Sequence, residues 1–297
     1  ALPSFLTDCA SCGVDAFIVT DLGVLELAKR CAPEVELHVS TQAGVVNYAA
    51  ANALYALGAK RVVSARELSI NEIKEIREKI PEDMEIETFV HGAMCISYSG
   101  RCLLSSFMTG RDANKGACPH PCRWKYAVVE ETRPGEYMPV YENERGTYIF
   151  NSKDLCMIGH IPEMIEAGID SFKIEGRMKS VFYVATIVHA YRQAIDAYFA
   201  DPDHYQFNHD WLNELKKVSH REFTTGFYFD KPTNKDQNYQ TSAYTREYSF
   251  VGIVRSYDTD TGLAVVEQRN KMSIGEEIEI FGPDIPFFTQ ALGEIYD

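Results

Sequence analysis

The chain has 297 residues and a formal net charge of −14, with 45% hydrophobic and 24% charged residues. This length accommodates one large domain and a small one around a substantial core, and the composition is that of a globular protein. No apolar run approaches the roughly 20 residues that span a bilayer, and the acidic balance requires that any polyanionic partner meet a local basic patch.

The N-terminus and the cysteines indicate the compartment. The opening stretch ALPSFLTDCASCGVDAFIV lacks the basic start and the cleavage pattern of a secretory signal. It also begins in mid-pattern, so we expect the chain to start partway into a longer protein. Without an export signal, the eight cysteines predict reduced thiols that bind metal or serve chemistry, in a cytoplasmic protein.

From residue 15 onward, short apolar runs alternate with helical patterns. The predicted strands are 15–21, 35–42, 61–67, 86–92 and 169–177, and the predicted helices are 22–32, 43–58, 69–80, 158–168 and 180–201. Ser69, followed three residues later by Glu72, is typical of a capping box. Near-continuous apolar strands between helices predict a parallel sheet covered on both faces. We therefore expect an α/β fold, a (β/α) TIM-like barrel that is incomplete in this chain.

Beyond the last of these helices the pattern changes to an alternation of apolar and polar residues over 247–283, with turn signals at DTDTG and SIGEE. This alternation predicts a small antiparallel β-barrel module, and the polar stretch DKPTNKDQNYQTS marks a boundary. We divide the chain into a partial α/β barrel at 1–230, a linker at 231–243 and a small β-barrel-like domain at 244–297.

Polar side chains occur where the predicted strands end. In a (β/α) barrel these positions share the face that carries active sites. One such residue is ordinary, but five consecutive junctions carry them, which favours a site on that face. The residues are Asp21, Thr41, Gln42, Arg66, Glu67, His91, Glu175 and Arg177.

A short glycine- and serine-rich stretch holds four cysteines, namely Cys95, Cys102, Cys118 and Cys122. On one interpretation they are buried structural thiols. On a second they bind zinc, with the last two forming a hook around His120. On a third they hold an iron–sulfur cluster on loops. Spacing alone leaves zinc and iron–sulfur open.

Four stretches carry a resemblance to a known family. They are FVHGAMCISYSGRCLLSSFMTGRDANKGACPHPCRWKY, GTYIFNSKDLCMI, FKIEGRMKSVFYVATIVHAYR and SHREFTTGFYF. Over about residues 10 to 230 the chain resembles the collagenase-like peptidases of the U-32 peptidase family, and within them the branch that hydroxylates tRNA. Relative to that family, the opening strands of the barrel are missing.

The resemblance implies a cofactor. Relatives in quinone-ring hydroxylation carry a [4Fe–4S] cluster, and their ligand positions match Cys95, Cys102, Cys118 and Cys156. Cys122 is then a spare or an alternative fourth ligand, and zinc is the alternative metal.

The resemblance also implies a reaction. In the tRNA-hydroxylating branch this is formation of 5-hydroxyuridine at the anticodon wobble position, dependent on prephenate as co-substrate and without molecular oxygen. The expected partners are therefore tRNA, a small dicarboxylic acid and iron–sulfur donor proteins, with no membrane.

The residues themselves do not show peptidase machinery. The chain has no H-E-x-x-H and no G-x-S-x-G, although Cys95 with His91 resembles a Cys–His pair. The alternative functions are a collagenase-like protease of this family and a non-catalytic iron–sulfur subunit of a hydroxylation complex.

RNA binding has support from two local basic excesses, within 101–125 and 173–192, each with a single acidic residue. The basic residues are Arg101, Arg111, Lys115, Arg123, Lys125, Lys173, Arg177, Lys179 and Arg192. Such cations suit phosphate, and Trp124, Tyr126 or Tyr98 are candidates to stack an unpaired base. The alternative is a solvated charged loop that pairs with the acidic body.

Within the expected site, Arg66, Arg101 and Arg177 are candidates to bind a dicarboxylate, with Lys173 and Gln42 as further substrate contacts. Candidate proton-transfer groups are His91, Glu67 and Glu175. The commoner role for two such carboxylates is to anchor the arginines by salt bridges, and the histidine is equally interpretable as a structural residue.

Overall fold

The computed structural model describes residues 1–95, 97–98, 102, 104–111, 113, 116–124, 127–128, 138–139, 153–230, 248–283 and 285–296. The predicted linker at 231–243 lies outside the described residues. So do four residues named above, Arg101, Lys115, Lys125 and Tyr126, and the side chain of Arg123.

The first half of the chain forms parallel strands that alternate with helices. The strands are β1 (Ala16–Val19), β2 (Glu36–Val39), β3 (Arg61–Val63) and β4 (Glu85–Ala93), and they pair in that order. The helices are α1 (Leu2–Ser11), α2 (Leu22–Cys31), α3 (Tyr48–Ala56) and α4 (Ile70–Lys79). Helix α1 covers part of the N-terminal stretch and was not predicted.

The helices begin where local side chains cap their free N–H groups. Asp21 accepts a hydrogen bond from the Val24 N–H at the start of α2, so this strand-end residue is a helix cap. The capping box predicted at Ser69 and Glu72 is confirmed, with both side-chain-to-backbone bonds present at the start of α4. Isoleucines at 70, 73 and 76 place one face of α4 in the core.

The second half adds three strands to the same sheet. Strand β7 (Asp154–Cys156) runs antiparallel to the end of β4, β8 (Ser171–Ile174) runs parallel to β4, and β9 (Phe223–Thr224) pairs with β7. Between β4 and β7 lie α5 (Leu104–Thr109) and the short pair β5 (Ala127–Val128) and β6 (Met138–Pro139). The helices that follow are α6 (Ile161–Glu166), α7 (Val181–Ala200) and α8 (His209–Lys217).

The sheet order is β1-β2-β3-β4-β7-β9, with β8 on β4. The mixed α/β class with a parallel sheet is thus confirmed. Among the described strands no pairing joins β1 to β9, so closure into a barrel stays a prediction. Strand β7 was not predicted, because three residues are too short a run for period-2 alternation to identify.

The C-terminal region consists of antiparallel pairs, as predicted. Strand β10 (Gly252–Asp258) pairs with β11 (Leu263–Gln268), and β12 (Glu277–Gly282) pairs with β13 (Ile285–Ala291). Whether they close into a barrel, and where the domain boundaries lie, stay predictions. Of the helices described, none is both long and apolar enough to cross a membrane.

Candidate functional site

A cavity of about 500 Å³ lies at the carboxyl ends of the parallel strands. Parallel strands present these ends along one edge, so residues far apart in sequence meet there. The strand-end residues that line it are Thr20 after β1, Ser40, Thr41 and Gln42 after β2, Arg66 after β3, Ala93, Met94 and Cys95 at the end of β4, and Glu175 and Arg177 after β8. The clustering predicted for one face therefore occurs, although Asp21, Glu67 and His91 do not line the cavity.

Four cysteines line this cavity: Cys95, Cys102, Cys118 and Cys122. Two sulfurs accept backbone hydrogen bonds, Cys95 Sγ from the Ser97 N–H at 3.4 Å and Cys118 Sγ from the His120 N–H at 3.3 Å. Residue 120 adopts a left-handed backbone (φ 59°) as the chain turns back toward Cys122. Thiols with backbone N–H donors are the donor set that suits a thiolate-held metal group.

The charge state of Cys95 depends on its surroundings. Burial raises the pKa of the Cys95 thiol, and the nearby Cys102 and Cys118 raise it further, whereas the Ser97 N–H and the charge of Arg66 lower it. The net shift is upward, so the thiol needs a positive group in the cavity to ionise at neutral pH. Within the part of the chain that the structure describes, no group of three or more His, Cys, Asp or Glu side chains is placed to hold a metal ion.

Cys156 lies elsewhere. It ends β7, opposite His91 of β4, and it does not line the cavity. Burial raises the pKa of its thiol to about 11, although hydrogen bonds from the Ile158 N–H and the Tyr191 hydroxyl lower it. The structure thus brings Cys122 to the other three cysteines and leaves Cys156 in the core.

Arg66 is held rigidly at the cavity wall. Its Nη1 donates to the Ala93 carbonyl at 3.0 Å, and its guanidinium carbon lies 3.8 Å from the centroid of the Phe89 ring. Burial lowers the pKa of the guanidinium despite the charges of Cys95, Glu175 and others nearby. Its Nε–H is buried and has no hydrogen-bond partner among the residues that the structure describes.

Glu175 and Arg177 follow β8 and also line the cavity. The Arg177 N–H donates to Glu175 Oε1 at 3.2 Å, which makes the carboxylate a local backbone anchor. The guanidinium of Arg177 fills the space beside Gly116, where an added Cβ would lie 2.1 Å from Nη1. Across the cavity, Thr20 Oγ1 donates to the amide oxygen of Gln42 at 3.5 Å.

Lys173 is not available to the cavity. It forms an ion pair with Glu87, whose carboxylate also accepts from Arg61 at 3.0 Å and from Ser171 at 3.0 Å. These partners hold the pKa of Glu87 below its usual value against the opposing effect of burial. The side chain predicted to contact substrate is therefore part of a structural ion-pair network.

His91 is buried in the core, with 1% of its surface exposed. Its ring packs against Tyr183, Tyr191 and Phe223, and burial lowers its pKa to about 3. The pairing of β4 with β8 shifts register between Phe89 and His91. Phe89 lines the cavity and His91 does not.

Sequence reasoning did not identify Phe89, which lies under the Arg66 guanidinium, or the cavity residues Met94 and Met178. A usable signal exists for the first of these. Phe89 belongs to the same strand as His91, and an aromatic residue near a strand end is a frequent partner of a cation.

Comparison with known families identifies the class of protein. Residues 1–238 match the sequence model of peptidase family U32, and residues 246–297 match the C-terminal domain of that family. The chain therefore belongs to peptidase family U32, as the resemblance predicted.

Individual relatives carry more specific names. The chain is 45% identical to tRNA hydroxylation protein P1 of Bacillus subtilis, over 100% of this chain and 69% of that protein. It is 38% identical to tRNA hydroxylation protein P of Escherichia coli, over 91% and 68% of the two chains. It is also 34% identical to a collagenase of Porphyromonas gingivalis, over 95% and 69%.

Proposed function

We propose that this protein hydroxylates uridine in tRNA, forming 5-hydroxyuridine at the wobble position with prephenate as co-substrate. One observation carries the proposal. Four cysteines and two arginines from separate elements line a single cavity at the strand ends, in a chain whose relatives include proteins named for tRNA hydroxylation.

We infer that the cavity holds an iron–sulfur cluster, and we propose that this cluster is of the [4Fe–4S] type. Four thiols line this cavity, and the sulfurs of Cys95 and Cys118 accept backbone N–H hydrogen bonds, which is the donor set that suits a cluster held by cysteines on loops. Such a group supplies electron-transfer chemistry that no side chain provides. The ligands in this proposal are Cys95, Cys102, Cys118 and, because it shares the lining, Cys122 in place of Cys156.

The other residues of the cavity bind and orient the substrates. Arg177 lies exposed beside the cysteine segment and is placed to contact an RNA phosphate. Tyr98 and Trp124 expose 53% and 47% of their surface in the segment that carries the cysteines. Their rings are suited to stack an unpaired base that has left the anticodon stack. Met94 and Phe89 give the wall apolar surface that excludes water.

The experiment begins with protein purified without oxygen. We expect iron and sulfide in comparable amounts, with a brown colour and visible absorption that Cys95→Ala abolishes. Cys31→Ala, on α2 and outside the cavity lining, is the matched control and keeps the colour. Colourless protein with one equivalent of zinc contradicts the cluster.

A strain lacking the gene is then tested for 5-hydroxyuridine by mass analysis of its tRNA, and an unchanged content contradicts the modification role.

The fourth ligand gives a separate prediction. Cys122→Ala is expected to lose most of the iron, whereas Cys156→Ala retains it, because only the former lines the cavity. Iron content per chain and the absorption spectrum of both variants are the measurements. The reverse result, iron lost only in Cys156→Ala, returns the assignment to the residue that the family resemblance implies.

A protease is the second candidate, since one relative is named collagenase. The Cys95–His91 pair lends it little support, because His91 is buried away from the cavity with a pKa of about 3. Gelatin cleavage that survives repurification and disappears in Cys95→Ala favours this candidate. The third candidate function is a non-catalytic iron–sulfur subunit of a hydroxylation complex. It is favoured if tRNA is modified only when a second protein is added.

A further inference from the structure

Lys217 of α8 lies in the contact between the α/β core and the C-terminal strands. Its ammonium forms ion pairs with two carboxylates, Glu214 of the same helix at 2.6 Å and Glu279 of β12. The same Nζ lies 5.3 Å from the ring centroids of Tyr248 and Phe287. Each of the three charged side chains is at most 19% exposed, so solvent ions screen their interactions only partly.

The charges at this contact do not balance. One ammonium faces two carboxylates, and Asp210 of α8 adds a further negative charge nearby. Glu214 Oε2 is buried and has no hydrogen-bond partner among the described residues. A buried carboxylate oxygen without a donor costs free energy, and a proton bound there removes the excess charge. The carboxyl group of Glu214 is therefore well placed to bind a proton while β12 lies against α8.

The surroundings of Glu214 act in the direction that this charge balance requires. Burial raises the pKa of the Glu214 carboxyl, and the charges of Glu279 and Asp210 raise it further, whereas the hydrogen bond and the charge of Lys217 lower it. The net shift is upward from the ordinary 4.5. The contribution of Glu279 exists only while β12 lies against α8, so proton binding and docking are linked.

We propose that the contact between α8 and β12 is sensitive to pH, because Glu214 binds a proton when the C-terminal strands dock. A group that binds a proton more tightly in the docked form strengthens docking at low pH. Docking therefore gains stability as the pH falls through the raised pKa of Glu214 toward 4.5, and this gain is absent at higher pH. The linkage does not depend on tRNA hydroxylation and goes beyond the proposed function.

His189 of α7 lies at the same contact and acts in the opposite direction. Its ring centroid is 5.6 Å from that of Phe281 and 5.0 Å from that of Phe287. Burial lowers the pKa of this histidine below the ordinary 6.5, so its contribution weakens docking as the pH falls below 6.5. The contributions of His189 and Glu214 oppose each other in the wild type, and each is visible once the other is removed.

The test measures amide hydrogen exchange on the full chain, because a pair of strands by itself has little stability in water. Protection of β12 and β13, corrected for the intrinsic pH dependence of exchange, is compared at pH 7 and pH 5. The proteins are His189→Gln, Glu214→Gln and the double variant. On going to pH 5, protection is expected to rise about threefold in His189→Gln, to fall in Glu214→Gln and to stay constant in the double variant.

Two further variants are made in the His189→Gln background. Glu277→Gln removes an exposed carboxylate from β12 and is the matched control, which keeps the rise in protection. Lys217→Met leaves both carboxylates without their cation, so it is expected to lower protection at pH 7 and to show a larger rise toward pH 5. This variant tests the linkage even if Glu214→Gln does not fold.

Three outcomes overturn the proposal. Constant protection in His189→Gln between the two pH values excludes a proton taken up on docking. A rise that persists in the double variant assigns the proton to a group other than Glu214. An equal rise in β1 to β4, recorded in the same experiment, means that the stability of the whole chain changed and not the docking. None of these outcomes bears on 5-hydroxyuridine, which tests the proposed function separately.

Discussion

At the scale of single residues, Gly116 controls where the Arg177 guanidinium lies. Gly116 has a φ of +74°, and the atoms that an added Cβ would meet are the far end of the Arg177 side chain. That end is flexible, so a substitution displaces the arginine and leaves the surrounding backbone in place. The glycine therefore links the cysteine segment to the β8 end of the cavity.

We expect Gly116→Ala to lower the rate of tRNA hydroxylation about tenfold, because the displaced Arg177 guanidinium no longer lies where we propose that it contacts an RNA phosphate. Gly110→Ala is the matched control. Gly110 also has a positive φ, of +68°, and an added Cβ there meets nothing within 4 Å. Both changes cost about 1 kcal/mol of backbone strain, so equal rates in the two variants would show that Arg177 does not depend on Gly116.

His91 gives a prediction about acid stability. Burial lowers its pKa to about 3 from the ordinary 6.5, so the unfolded chain binds a proton at a pH where the folded chain does not. The free energy of unfolding therefore falls as the pH drops from 6.5 toward 3. Above pH 6.5 this histidine does not change the pH dependence of the free energy of unfolding. We expect His91→Gln to lose less stability than wild type between pH 7 and pH 5. Urea unfolding at both values measures it, and identical losses would exclude this histidine as the cause.

At the scale of elements, β4 organises the site. Its first part pairs with β3 and β8, its last residues pair with β7, and its end continues into Cys95. The shift in register between Phe89 and His91 accompanies a change in which side chains reach the cavity. One strand therefore supplies Phe89 to the cavity and His91 to the core.

Helix α4 follows Arg66 closely and depends on its cap. Ser69 Oγ accepts from the Glu72 N–H at 3.3 Å, and Glu72 Oε2 accepts from the Ser69 N–H at 2.7 Å. Ser69→Ala is expected to lower the free energy of unfolding by about 1 kcal/mol, measured by denaturant unfolding. Ser11→Ala, in the exposed last turn of α1, is the control. A loss no larger than that of the control would show that the cap contributes little.

At the scale of the whole molecule, the C-terminal strands attach to the α/β core through aromatic contacts. The Phe182 ring of α7 stacks on Phe250 at 5.3 Å and lies 6.3 Å from Phe281. Lys217 of α8 forms an ion pair with Glu279 of β12. These contacts lie on α7 and α8, and none of the residues that make them lines the cavity.

Phe281→Ala is expected to loosen this attachment, because Phe281 also stacks on Phe287 at 4.5 Å and contacts His189. Amide hydrogen exchange should accelerate in β12 and β13 and stay unchanged in β1 to β4. Phe288→Ala, a neighbouring side chain with 43% of its surface exposed, is the control. Equal acceleration by both changes would mean that the Phe281 contacts do not hold the C-terminal strands.

The sequence by itself determined the alternation of β1 to β4 with their helices and the capping box at Ser69. These features depend on neighbouring residues, which propensity and periodicity describe. It also identified the strand ends and the cysteine-rich stretch, from which Arg66, Arg177 and three further cysteines reach the cavity together with Cys95.

Only the tertiary structure decided which of the candidate site residues lie together in the cavity. Lys173 is engaged by Glu87, a residue 86 positions earlier in the chain, and His91 is buried by side chains from α7 and β9. Cys156 is buried opposite His91 of β4 and does not line the cavity that the four cysteines Cys95, Cys102, Cys118 and Cys122 share. The physical reason is that burial and strand register are set by contacts between residues distant in sequence, and no local pattern records those contacts.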